Sequence, residues 1–319
     1  MVITLSESPK HTSEKSGDYM LNAETHKNKR NNVKALPYIF VLPGMLLFVL
    51  IAVIPIVQTI LLSFTDWNGV TLLSKINFVG IENYKVTITS QEFFMAIKNN
   101  VLWALVSVTI PIAIGLVQAS VIVNSNVKFK NLFQLLLFLP QILSSMIMSI
   151  MWLAIYDPAN GVLNGLLKTI GLDSWIRPWL GSKETAIYAL LVMSIWTAYG
   201  FNTVIYCSAI RAIDNSLFEA ATIDGTNTLQ NFFYITIPSI RKTTTTLLLL
   251  SLIGSFKVFD LVFQMTKGGP GYYTNVISYY IYSKAFMSNK IAQGCAIAVI
   301  LTVLVLVISR VFLYLRRDD

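Results

Sequence analysis

Apolar residues along this chain gather into six long runs, roughly 38–64, 101–123, 132–155, 187–210, 244–263 and 291–315, separated by shorter polar stretches. About 20 such residues span a hydrocarbon core of about 30 Å, so each run can cross a bilayer. None shows the period-two alternation of a membrane barrel, and a backbone in lipid must satisfy its own hydrogen bonds. The pattern therefore predicts an all-α integral membrane protein with six transmembrane helices. Pro43 and Pro55 fall inside the first run, which predicts a kink, a tilt or an interfacial start there. Residues 1–36 are polar and aperiodic and are expected to be a disordered cytoplasmic tail. They contain no apolar core of a secretory signal. The membrane domain is then 37–319.

Composition agrees with the pattern. The 319 residues are 55% hydrophobic and 13% charged, with a mean hydropathy of +0.63. A soluble domain carries about a quarter charged residues. The net charge of +8 could point to nucleic acid, but its distribution argues for membrane topology and membrane lipid as the surroundings instead. Six spans put both termini on one side. Fourteen Lys and Arg lie on that side against eight on the other, so the positive-inside rule makes it cytoplasmic. The expected location is the inner (cytoplasmic) cell membrane, with multiple passes and cytoplasmic N- and C-termini. Cys207 and Cys295 fall inside predicted spans and read as small apolar side chains. Both histidines, His11 and His26, lie in the tail, which leaves no histidine metal site and no catalytic cluster.

The connector 214–241 is longer and more patterned than a turn requires. Ser216 to Glu219 fits a capping box, Gly225 a helix-ending position where a side chain would clash, and Thr226 or Asn227 a second cap. Pro238 is expected to end the second helix or start the next span. Leu217, Phe218, Ala221, Leu229, Phe232, Phe233 and Ile237 are too many apolar residues for a solvated linker. On spacing alone the loop either folds back on its own bundle or docks a partner.

The stretch "EAATIDG" followed by "ITIP" resembles the EAA motif of permease subunits of binding-protein-dependent ABC importers. Glu219, Ala220, Ala221, Gly225, Ile235 and Pro238 stand in register, and Ile237 replaces the usual Leu. "SFTDW" (63–67), "FVGIENY" (78–84), "YDPANGVLN" (156–164) and "FKVFDLVFQMTKGGPGYYT" (256–274) are similar to segments of the carbohydrate branch of that family. The likeness covers about 36–315 and is nearest to the larger permease of maltose-like systems, without its large outer domain. The resemblance implies a sugar importer working by alternating access. Its loop, with Glu219, Ala220, Ala221, Asp224, Gly225 and Pro238, would dock a separate ATPase. Implied partners are a second homologous permease in a heterodimer, ABC ATPase subunits and an extracytoplasmic solute-binding protein. No cofactor is expected on this chain; ATP and Mg would be used by the partner, since no G-x-x-x-x-G-K-[ST] loop occurs here.

Polar and aromatic groups inside spans are the candidates for a sugar path: Ser194, Trp196, Thr197, Ala198, Tyr199, Phe201, Asn202 and Ser255. Ser194, Thr197, Ala198 and Phe201 align with sugar-contacting positions of the maltose-type permease, with different identities. Lys257 and Asp260, three positions apart, are expected to pair on one helix face. An ion-coupled secondary transporter for a polar solute is the alternative reading. It predicts more buried acids and repeated hydropathy than this chain offers.

Overall fold

A computed structural model describes residues 40–124 and 128–316. The predicted tail, both histidines and the start of the first run lie outside the described residues. Two compact units are distinguished, 1–58 and 59–319. The helix α1, Phe40–Leu62, belongs mostly to the first. It carries a π turn at Val49–Val53, where bonds run i→i−5 just before Pro55, a residue that has no N–H to give.

In the second unit a short helix α2 (Glu82–Ile88) precedes α3 (Gln91–Asn124), which begins ten residues before the predicted span. There follow α4 (Lys130–Ile142), α5 (Ser145–Ile155), α6 (Val162–Thr169) and the long α7 (Ala186–Arg211). The connector forms α8 (Asn215–Ile223) and α9 (228–239). Then come α10 (Arg241–Phe256), α11 (Asp260–Met265), α12 (Ile277–Tyr282) and α13 (Ile291–Leu315).

Four of these helices are long and apolar enough to cross a membrane, and a bent pair raises the number to five. The expectation of six unbroken spans is corrected at two places. The third run is two helices, α4 and α5, meeting at 94°. Ser144 takes an extended conformation there and its hydroxyl accepts the Ile147 N–H at 3.3 Å, an N-cap that hydropathy does not register. The fifth run breaks after Phe256. The carbonyl of Ser255 accepts from the Asn100 amide at 2.9 Å and that of Phe256 from the Ser278 hydroxyl at 3.1 Å. Freed carbonyls are thus satisfied from other elements, and no local residue signals the stop.

Helices α3 and α7 form the centre and run parallel. Trp103 meets Ser194 near their starts and Gln118 meets Thr203 toward their ends. At Gly200 a Cβ would collide with the Leu137 carbonyl, so α4 crosses α7 at backbone distance. Buried Asn99 and Asn100 on α3 tie down the far end. Asn99 Nδ2 donates to the carbonyls of Tyr273 and Asn275 at 2.8 and 2.7 Å, and Asn100 Oδ1 accepts the Ile277 N–H at 2.8 Å.

Candidate functional site

The loop at one end of the bundle is set by local chemistry. Asp214, not Ser216, caps α8: its Oδ1 accepts the Ser216 N–H at 3.0 Å, and these hydrogen bonds hold its carboxyl below the ordinary aspartate range. The capping box expected at Ser216 and Glu219 is therefore corrected, because Ser216 lies within the first turn. A reciprocal box forms instead at Asn227 and Gln230, with bonds of 2.9 and 2.8 Å.

Between the two caps α8 ends in a Schellman turn. Thr226 N–H reaches the Ala221 carbonyl at 3.0 Å, and Gly225 N–H reaches that of Thr222 at 3.1 Å. Gly225 has φ +76°, and no atom lies within 4 Å of the place a Cβ would occupy. Within this chain glycine is needed there for its left-handed backbone and not, as the sequence reading held, to avoid a clash. Pro238 sits in the last turn of α9, behind the π turn Phe232–Thr236, and the separation from α10 falls at Ile240. Ala221 is buried, while Glu219, Ala220, Asp224 and Pro238 are exposed. The Glu219 side chain has no hydrogen-bond or ion-pair partner among the described residues. Ile223, Tyr234 and Leu229 are 87%, 79% and 69% exposed, an apolar surface that flanks the Gly225 turn.

A cleft opens between α3, α4, α7 and α10. It consists of two cavities of about 300 and 340 Å³ that share Gln141, Ser194, Ala198, Gly254 and Val258. Of the eight candidate path residues, Ser194, Ala198, Phe201, Asn202 and Ser255 line the first cavity, and Thr197 lines the second. Residues 194, 197, 198, 201 and 202 share one face of α7 by helical spacing. Trp196 instead meets Trp152 edge-on at 5.7 Å, and Tyr199 lines neither cavity.

Polar groups in the cleft retain bonding capacity. Thr197 Oγ1 donates to the Met193 carbonyl at 2.9 Å and Ser255 Oγ to that of Leu252 at 2.6 Å, which leaves oxygen lone pairs free to accept. Trp103 Nε1–H donates to Ser194 Oγ at 3.2 Å. Trp103, Ser107 and Gln141 are lining residues that the sequence reading missed. Helical spacing from Ser194 could have sorted the face of α7, but nothing local marks the α3 and α4 residues. Lys257 and Asp260 form no ion pair with each other and both line the second cavity, which corrects the expected pair on one helix face. They stand on either side of the helix break. Among the described residues no cluster of three His, Cys, Asp or Glu could hold a metal ion.

The profile of the binding-protein-dependent transport system inner membrane component family matches residues 111–318, a span that includes the loop and most of the cleft. The chain belongs to that family. It is an inner-membrane permease of a binding-protein-dependent ABC importer, a non-catalytic transport component. It is 34% identical over 280 residues to the probable ABC transporter permease protein YurN of Bacillus subtilis, covering 88% of this chain and 95% of that protein. It is 31% identical over 303 residues to the arabinooligosaccharides transport system permease protein AraP of Halalkalibacterium halodurans, covering 93% and 94%. Its fold matches a chain in the crystal structure of a bacterial ABC transporter involved in the import of the acidic polysaccharide alginate. The TM-score there is 0.81 at 25% identity, over 92% of this chain and 99% of that one.

Proposed function

We propose that this permease carries a sugar or oligosaccharide across the inner membrane by alternating access, driven by ATP hydrolysis on partner ATPase subunits. The observation that carries the reading is the loop. Two capped helices meet at a glycine turn whose exposed Ile223, Leu229 and Tyr234, with Glu219 and Asp224, face outward and find no cover among the described residues. An apolar surface rimmed by acids fits docking to a protein groove far better than contact with water. Glu219, Ala220, Ala221, Asp224, Gly225 and Pro238 would form that contact.

Six crossings are supported by parity. Helices α3 and α7 run in the same direction, so α4 with α5 must carry the chain back once between them. Ile297 on α13 packs beside Phe93 and Ala96 at the start of α3, so α10 with α11 makes the next return. Counting the first apolar run as one more crossing would make six, an even number that would put both termini on one side. The Lys and Arg excess makes that side cytoplasmic. The cleft lies in the path between the two faces, with Ser194, Thr197, Ala198, Phe201, Asn202 and Ser255 on its wall. Trp196 and Tyr199, proposed from sequence as path residues, would then act from behind that wall. A second homologous permease would close the other side, and an extracytoplasmic solute-binding protein would deliver substrate. The transport of arabino-oligosaccharides named for AraP and of alginate for the structural relative supports a saccharide as substrate.

Purification of the chain from its native membrane in mild detergent tests the reading. An ATPase and a second permease should co-purify, and Gly225→Asp should release the ATPase while the chain stays in the membrane. A lone permease that moves solute without ATP would contradict it and favour ion-coupled transport.

A further inference from the structure

Two helix breaks meet at one cavity. Leu143 and Ser145, from the junction of α4 and α5, face Lys257, Val258, Phe259 and Asp260, from the junction of α10 and α11. Interrupted helices at membrane depth are tolerated where they are buried or line an aqueous cavity, and they build the solute sites of other transporter folds. The lysine and the aspartate here are both exposed to the cavity, and neither bonds the other. An ammonium at the end of α10 and a carboxylate at the start of α11 each complement a helix dipole, which accounts for their signs. It does not account for both reaching into a shared space within a predicted span, where unpaired charges need a polar counterpart.

We propose that Lys257 and Asp260 contact the substrate and set its specificity, selecting an uncharged saccharide. The Asp260 carboxylate accepts from neighbouring hydroxyls, while the Lys257 ammonium donates to ring or glycosidic oxygens. Gln141, exposed in both cavities, supplies a further amide. The proposal rests on the saccharide reading above. Charge decides the class. With one cation and one anion on this wall, an acidic sugar loses at Asp260 what it gains at Lys257, whereas hydroxyl groups satisfy both. Bonds to ionised groups are the stronger kind, and each hydroxyl missing from the substrate leaves a charge unsatisfied.

The experiment uses the complete importer in proteoliposomes with its binding protein and ATP. The probe is a mixture of neutral arabinose, glucose and N-acetylglucosamine oligosaccharides with mannuronate oligosaccharides, read by mass spectrometry. A neutral member should accumulate fastest. Asp260→Asn and Lys257→Met should each slow its uptake about tenfold, equivalent to about 1.4 kcal/mol. ATPase co-purification should be unchanged, and Asp260→Glu should restore part of the rate. For one single-deoxy analogue of the transported sugar, wild type and Asp260→Asn should differ by only about twofold, because the lost bond is already absent. Preferred uptake of mannuronates, wild-type rates in both variants, or equal losses on every deoxy analogue would overturn the proposal while leaving the saccharide reading intact. ATP-driven uptake of a non-saccharide alone would overturn both.

Discussion

The Gly225 loop and the central cleft are built by opposite means. In the loop, the bonds that shape the two caps and the turn are local: Asp214 to Ser216, Thr226 to Ala221, Asn227 to Gln230. In the cleft, the decisive bonds are long-range, from Asn100 to Ser255 and Ile277 and from Trp103 to Ser194. A loop made locally can move as a unit without unfolding the bundle, which suits a part that follows a partner. A cleft held by contacts between helices changes shape only when those helices shift together.

Substitutions that separate the two kinds of construction should differ accordingly. The largest effect belongs to Gly200→Leu, which drives a side chain into the Leu137 carbonyl and should remove folded protein from the membrane, measured by yield after detergent extraction. Asn100→Leu comes next. It leaves the Ser255 carbonyl and the Ile277 N–H buried without partners, a loss of about 1–3 kcal/mol for each group. Thermal unfolding in detergent should fall and uptake should be lost, while the ATPase still co-purifies.

Gly225→Ala should have the converse profile. Its left-handed backbone opposes a Cβ by about 1 kcal/mol or more, and the strain is confined to the loop. ATPase co-purification should weaken with little change in the unfolding temperature. The smallest effects distinguish two aromatics on α7. Phe201→Ala, on the cleft wall, should shift the relative uptake of different sugars by a few fold. Trp196→Ala, which unpacks Trp152, should lower stability and leave sugar preference alone. A reversed pattern would move the path to the other face of the helix.

The same contrast explains what could be read from the chain. Helix, glycine turn and second cap of the loop were legible because their signals lie within a few residues, even though the cap moved from Ser216 to Asp214. Hydropathy located the four long apolar helices because lipid imposes a length on apolar runs. It missed the breaks at Leu143 and Lys257, since a satisfied break inside a protein needs only partners elsewhere, and Asn100 lies 155 positions from Ser255. The wall of α7 was half legible. Residue type nominated Trp196 and Tyr199 as readily as Phe201, and only the helical face separates them. Lys257 and Asp260 misled for the same reason: three-residue spacing implies a shared face only where the helix is continuous.

The central claim is that ATP at the loop end changes access to the cleft. Its direct test places a single cysteine at Ser194, with Cys207 and Cys295 replaced by alanine, in the complete importer in sealed proteoliposomes. Labelling by an impermeant thiol reagent is then compared from each side. The account predicts outer-side labelling only when the ATPase is trapped with ATP, inner-side labelling without nucleotide, and no nucleotide effect once Gly225→Asp is added. Labelling that ignores nucleotide in the intact complex would contradict it.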